Sequence, residues 1–120
     1  MKLRIRGNSI RLRLTRSEVE EFGRTGKVEE TVDFGPGTRK LKYALEEYQG
    51  EHVFADYQDD RIRVSVPAEQ AREWVRSESV GFESSGGGLR ILVEKDFSCL
   101  NERPGETEED TFPNPKAASA

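Results

Sequence analysis

Two stretches of this chain, 52 residues apart, follow one pattern. The first runs Ile10-Arg11-Leu12-Arg13-Leu14 into Thr15-Arg16-Ser17-Glu18-Val19-Glu20-Glu21-Phe22. The second runs Ile62-Arg63-Val64-Ser65-Val66 into Pro67-Ala68-Glu69-Gln70-Ala71-Arg72-Glu73-Trp74. In each, alternating apolar and polar residues read as a half-buried strand, and the spacing then changes to that of a short amphipathic helix. Aligning residues 10–30 on 62–82 gives five identities in twenty-one positions: Ile10/Ile62, Arg11/Arg63, Glu21/Glu73, Arg24/Arg76 and Val28/Val80. A single four-residue gap then moves the offset to 48 and pairs Leu41 with Leu89 and Glu46 with Glu94. With Phe22 and Trp74 at the same helix position, the pattern restricts the fold to two copies of one supersecondary unit around a shared core.

Each unit reads as ββαββ. Leu3 and Ile5, then Ile10, Leu12 and Leu14, alternate with basic residues across Gly7-Asn8-Ser9, so residues 2–14 form a hairpin with one apolar and one basic face. Thr15-Arg16-Ser17-Glu18 is a capping box, with Leu14 and Val19 at staple positions. The helix turns Val19 and Phe22 inward and stops at Gly23 and Gly26. Residues 28–34 and 39–46 form a second hairpin across Gly35-Pro36-Gly37. Gly50 marks the seam between the halves, 1–49 and 50–100. In the second half Val53–Tyr57 pairs across Gln58-Asp59-Asp60 with Ile62, Val64 and Val66. Pro67 sits at a helix start, where its missing N–H is harmless, and residues 68–77 follow with Ala71, Trp74 and Val75 inward. Val80 and Phe82 lead through Ser84-Ser85-Gly86-Gly87-Gly88 to a last strand holding Leu89, Ile91 and Val93.

The expected fold is therefore α+β, with about eight mostly antiparallel strands in a curved or barrel-like sheet and a short helix in each half. Leu3, Ile5, Leu12, Leu14, Phe22, Tyr43, Ile62, Val64, Trp74, Ile91 and Val93 are expected to share the core. Residues are 33% hydrophobic and 35% charged, which suits short strands with one apolar face better than a globule of buried helices. The chain is one domain over residues 1–100, followed by residues 101–120. That last stretch has three prolines and five acids (Glu102, Glu106, Glu108, Glu109, Asp110) against Arg103 and Lys116, and carries −3 of the net −4. Such a composition predicts disorder or an extended docked arm, which Phe112-Pro113-Asn114-Pro115 could anchor.

Several function classes are disfavoured. A net charge of −4 lacks the basic footprint of a nucleic-acid binder. No apolar run approaches the roughly 18 residues of a membrane span, and the N-terminus lacks a signal peptide's apolar segment, so a cytoplasmic protein is expected. One cysteine, Cys99, rules out an intrachain disulfide and a cysteine zinc cluster. His52 is the single histidine, and a surface role is its default beside Gly50 and Glu51. Cys99 lacks a nearby base and reads as structural. Carboxylates recur as Glu29-Glu30, Glu46-Glu47, Asp59-Asp60 and Glu94-Lys95-Asp96, but none has the spacing of a calcium loop. The serine–glycine run lacks the Gly-Lys-Ser/Thr ending of a phosphate loop, and a strand follows it.

What remains is the basic side of the strands. Arg4, Arg6, Arg11, Arg13, Arg63 and Arg90 are the candidate surface for an anion or an acidic partner, joined by Lys40, Lys42 and Arg61 on other strands. The bland counterpart is a solvated face on which these bases pair with Glu29, Glu46, Asp56 and Glu94. The acidic tail folding back onto the basic hairpin is a third arrangement. The expected role is a non-enzymatic binding or adaptor module with a protein partner, without cofactor, metal, nucleic acid or membrane. The alternative is a phosphate-ester or polyphosphate enzyme in which an arginine-rich face works with a carboxylate-held divalent metal.

The segments Arg4-Ile5-Arg6-Gly7-Asn8-Ser9-Ile10-Arg11-Leu12-Arg13-Leu14 and Leu92-Val93-Glu94-Lys95-Asp96-Phe97-Ser98-Cys99-Leu100, with Phe112-Pro113-Asn114-Pro115, resemble a small uncharacterised bacterial family. The resemblance implies a bacterial cytoplasmic protein and supplies no catalytic residues. It also favours a docked arm over simple disorder in the tail. A more distant comparison is with the CYTH-type triphosphate tunnel enzymes, whose first strand carries Glu-x-Glu-x-Lys. Here that strand reads Lys2-Leu3-Arg4-Ile5-Arg6, without glutamates.

Overall fold

The computed structural model describes residues 1–97 and Phe112. The order of elements is the expected one: β1 (Lys2–Arg6), β2 (Ser9–Leu14), α1 (Arg16–Thr25), β3 (Lys27–Asp33), β4 (Lys40–Tyr48), β5 (Phe54–Gln58), β6 (Arg61–Pro67), α2 (Ala68–Arg76), β7 (Gly81–Ser84) and β8 (Arg90–Lys95). A 3-10 turn over Gly86–Gly88 joins the last two strands.

The architecture is α+β, but the single barrel-like sheet is corrected. The strands form two four-stranded sheets, sheet A in the order β1-β2-β8-β7 and sheet B in the order β3-β4-β6-β5. Neither sheet closes, and both are mixed. All four hairpins are antiparallel, whereas the central pairs, β2 with β8 and β4 with β6, are parallel. Each sheet therefore takes one hairpin from each half of the chain. A helix separates the two hairpins of each half, so each connection from one sheet to the other carries one.

Exchanging β1–β4 for β5–β8 carries the strand order of one sheet onto the other. The registers follow. Leu12 opposes Val93 in sheet A, and the offsets of 52 and 48 convert that pair into Val64 and Leu45, which oppose each other in sheet B. The β1–β2 ladder maps onto β5–β6 in the same way, Leu3/Leu12 becoming Ala55/Val64. The hairpins after the helices depart from the map. Val28 opposes Leu45, but Phe82, not Val80, opposes Val93. The sequence alignment of Val28 with Val80 is corrected to Phe82: the second half has two more residues after its helix and six fewer between its last two strand positions.

Helix α1 starts with the expected capping box. The Thr15 hydroxyl accepts from the Glu18 N–H at 3.4 Å, and the Thr15 N–H donates to Glu18 Oε1 at 2.9 Å. It ends at Gly26, whose left-handed backbone (φ 81°) lets its N–H reach the Phe22 carbonyl at 2.8 Å. Gly23 does not stop the helix. It lies inside it, and a Cβ there would sit 2.8 Å from Val75 Cγ1. The missing side chain thus admits α2, and Val75 is the residue 52 positions after Gly23, at the corresponding place in α2. Phe22 and Trp74, another corresponding pair, also meet, edge to face at 6.1 Å.

The inner faces of both sheets and the inward sides of both helices share one core. It contains Leu12, Leu14, Val19, Phe22, Val28, Leu45, Val64, Val66, Ala71, Trp74, Ile91 and Val93, with Leu3, Tyr43 and Val75 packed at its margin. Ile62 is also buried. Ile5 is a correction, being 58% exposed. Its alternation is correct, but it lies near the turn end of edge strand β1, opposite half-buried Ile10.

Lys95 is the one buried cation among the described residues, at 4% exposure. Its Nζ donates to the Ser77 carbonyl at 2.6 Å, where α2 ends, and lies 5.8 and 5.4 Å from the ring centres of Trp74 and Phe112. Cations are favoured at that helix end and over aromatic faces. Phe112 is held by its N–H to the Asp96 carbonyl at 2.9 Å and by the Phe97 ring at 5.6 Å. So the first residue of the Phe-Pro-Asn-Pro run does pack on the body of the protein. The other expectations for residues 101–120, and that for Cys99, lie outside the described residues.

Candidate functional site

The strand pleat sends every second side chain of sheet A away from the core. On β1 these are Lys2, Arg4 and Arg6, on β2 Ser9, Arg11 and Arg13, on β8 Arg90, Leu92 and Glu94, and on β7 Gly81 and Glu83. Six cations thus face two carboxylates. The corresponding positions of sheet B are Phe54, Asp56, Gln58, Arg61, Arg63, Ser65, Lys42, Ala44, Glu46, Lys27 and Glu29. They hold four cations and three carboxylates.

One ion pair is common to both sheets. Arg11 Nε lies 2.9 Å from Glu94, and its counterpart Arg63 lies 3.7 Å from Glu46. Arg63 has a second partner, Asp56, at 3.5 Å. Sheet A has Arg4 where sheet B has Asp56, so that partner is replaced by a like charge directly across the strand. Arg6 likewise stands for Gln58, and Arg13 for Ser65. At the sheet ends, Lys2 and Asp96 pair at 3.5 Å where Phe54 and Tyr48 stack edge to face at 5.2 Å.

The candidate residues are therefore divided. Arg4, Arg6, Arg11 and Arg90 line one depression of about 160 Å³ with Ser9 and Leu92. Arg13 lies one row further along the same face, opposite Lys2 and Glu94. Arg63 is on sheet B, neutralised by its two carboxylates. Arg4, Arg6 and Arg13 have no acidic partner among the described residues. Arg90 Nε donates to Glu83 Oε1 at 2.7 Å. That hydrogen bond holds the Glu83 carboxyl below its ordinary value and raises the guanidinium's, so both stay charged. The strand carrying Arg90 is clipped to the first hairpin turn: Asn8 Nδ2 donates to the Gly88 carbonyl at 2.7 Å, and the Arg90 N–H to the Asn8 carbonyl at 3.1 Å. This contact brings Arg90 beside the β1–β2 turn, and sequence reasoning gave no sign of it. Leu92 and the anchoring role of Glu83 also went unforeseen, because both depend on the β2–β8 pairing.

Sheet B presents a larger depression of about 440 Å³, but Lys40, Lys42, Arg61 and Arg63 there are met by Asp56, Asp59 and Asp60. Arg61 and Arg63 are committed to ion pairs, whereas Lys40 and Lys42 have no acidic partner among the described residues. Arg39 forks onto both Asp60 oxygens at 2.7 and 2.5 Å, and Arg61 Nε meets Glu29 at 3.0 Å. Those last two atoms are shielded from solvent and off hydrogen-bond alignment, so their contact is ionic. A third hollow, about 150 Å³, lies between the helices and is lined by Phe22, Gly23 and Val75 with Glu47, Arg72 and Arg76. His52 is exposed in the turn between β4 and β5, where its N–H meets the Tyr48 hydroxyl at 3.2 Å. Among the described residues no group of three or more His, Cys, Asp or Glu could hold a metal ion. Nor is any described helix long and apolar enough to cross a membrane.

No curated protein and no solved structure matches this chain. A family comparison does match: residues 1–116 fit the model of DUF7009, a family of unknown function, and the chain belongs to that family.

Proposed function

We propose that this protein is a non-enzymatic binding module that engages an acidic segment of a protein partner through the outer face of sheet A. We further infer that its halves descend from one duplicated ββαββ unit, so that departures between the sheets mark what one of them has acquired. The observation that carries the reading is the set of replacements Arg4 for Asp56, Arg6 for Gln58 and Arg13 for Ser65. Two sheets with corresponding ladders and a common Arg–Glu pair need no such asymmetry to be stable. Like charges placed directly across strands are destabilising, so Arg4 opposite Arg11 favours a role outside folding. Among the described residues, no group of three or more carboxylates or other metal-ligating side chains stands beside these arginines, which favours the binding reading over the metal-dependent phosphoester alternative.

Polyglutamate carrying a fluorophore tests the face, with binding read by anisotropy at roughly 50 and 200 mM salt, where exposed charge interactions differ in screening. Replacing Arg4, Arg6 and Arg13 by their sheet B counterparts (R4D, R6Q and R13S together) weakens binding at least about tenfold, the equivalent of ~1.4 kcal/mol. Arg63→Gln leaves it unchanged. Equal losses in the two variants, or none in the triple variant, refute the reading.

A further inference from the structure

Within that face, we propose that the depression formed by Arg4, Arg6, Arg11 and Arg90 is a pocket for a phosphate monoester, carried as phosphoserine or phosphothreonine on the partner. This rests on sheet A being the docking face and adds what the face selects.

The anchoring of the arginines comes first. Arg11 and Arg90 are each tied to a carboxylate through Nε, at 2.9 Å to Glu94 and 2.7 Å to Glu83. The Arg90 contact is a hydrogen bond and the Arg11 contact an ion pair, and both restrain the guanidinium while leaving the terminal nitrogens of each fork to bond elsewhere. An arginine held by its inner nitrogen has already lost much of the side-chain freedom that binding would otherwise cost. Arg4 and Arg6, from the neighbouring strand, have no acidic partner among the described residues. The clip between Asn8 and Gly88 holds the two strand ends together, so Arg6 and Arg90 approach from opposite sides.

Charge then selects the ligand. Four guanidiniums with two carboxylates leave two positive charges uncompensated. A phosphate monoester carries about −1.5 to −2 at neutral pH with three acceptor oxygens, which meets that excess with one group. A glutamate or aspartate brings half the charge and two oxygens. The space agrees as well. The depression, about 160 Å³, has room for a tetrahedral group of five heavy atoms. Leu92 supplies an apolar floor beneath the segment that carries it. A nucleic-acid backbone fits less well, because its diesters carry one charge each and the chain as a whole is acidic at −4.

Three otherwise identical fluorescent peptides, bearing phosphoserine, serine or aspartate, test this on the full chain. At about pH 7.5 the phosphopeptide binds at least about tenfold tighter than either of the others, and inorganic phosphate competes. Its advantage shrinks several-fold at about pH 5.5, below the second phosphate ionisation near 6, where the arginines and a carboxylate probe keep their charges. Arg90→Lys retains the charge but loses the fork, and it lowers phosphopeptide affinity more than polyglutamate affinity. If polyglutamate binds to sheet A but the phosphopeptide gains nothing over aspartate, the pocket is refuted and the docking face stands. Oligouridylate binding as tightly as the phosphopeptide also refutes it. If neither polyglutamate nor phosphopeptide binds, both readings fall.

Discussion

Arg4→Asp should make the protein more stable. In sheet B the corresponding residue is Asp56, which pairs with Arg63 at 3.5 Å, whereas in sheet A Arg4 faces Arg11 across the same ladder position. A favourable cross-strand charge pair contributes roughly 0.2–1 kcal/mol, and a like pair costs a similar amount. Arg4 is exposed, so both terms belong at the low end, and the exchange amounts to about 0.5–1 kcal/mol. For a domain of this size that raises the melting temperature by about 2–8 °C. Thermal and urea denaturation at roughly 20 mM and 1 M salt would measure it. The gain must shrink at high salt, where the Debye length falls to about 3 Å. A neutral control, Arg4→Gln, should capture only the relief of repulsion, about half the effect. A destabilised Arg4→Asp variant, or a gain indifferent to salt, would show that Arg4 is a structural residue and remove the argument that the arginine is kept for binding.

Two further outcomes test the architecture. Leu12→Ala, at a fully buried position of central strand β2, should cost about 2–5 kcal/mol in urea unfolding, whereas Ile5→Ala on the same sheet face should cost under about 0.5 kcal/mol. A large loss at Ile5 would contradict its 58% exposure. Burial pushes the Glu18 carboxyl up, but hydrogen bonds from the Met1 ammonium and the Thr15 N–H outweigh it and hold the group below the ordinary value of 4.5. The stabilisation is therefore present above pH 4.5 and lost as pH falls through the lowered value, so Glu18→Gln should converge on the parent protein in strong acid and fall below it at neutral pH. A constant gap across that range would refute the assignment.

Local features of the fold were legible in the sequence, and long-range ones were not. The capping box at Thr15, the hairpin at Gly7-Asn8 and the glycine turn before β8 depend on neighbouring residues. The parallel pairs do not: Leu12 and Val93 lie 81 residues apart, and alternation on two strands says nothing about whether they adjoin. The two-residue offset at β7 was invisible for a related reason. A slip of one residue reverses every side chain, but a slip of two leaves each on its face, so Val80 and Phe82 satisfy the pattern equally. Gly23 reads in the sequence as a helix stop because a glycine's need for close approach is set by the partner, here Val75, and not by its own helix. For the site, the sequence showed which residues are basic and which face they share. It did not separate Arg63 from the others, because that division follows from which strands adjoin.

The interleaving of hairpins bears on how the chain is made. Strand β2 adjoins β8, which is translated 81 residues later, about 4–16 s at ordinary rates of synthesis. Until then one side of β2 has its hydrogen-bonding groups open, so the first half cannot complete its own sheet as it leaves the ribosome. Sheet B has less to wait for, since β4 and β6 are 19 residues apart. Sheet B is thus available as a template while sheet A is still waiting for its last hairpin.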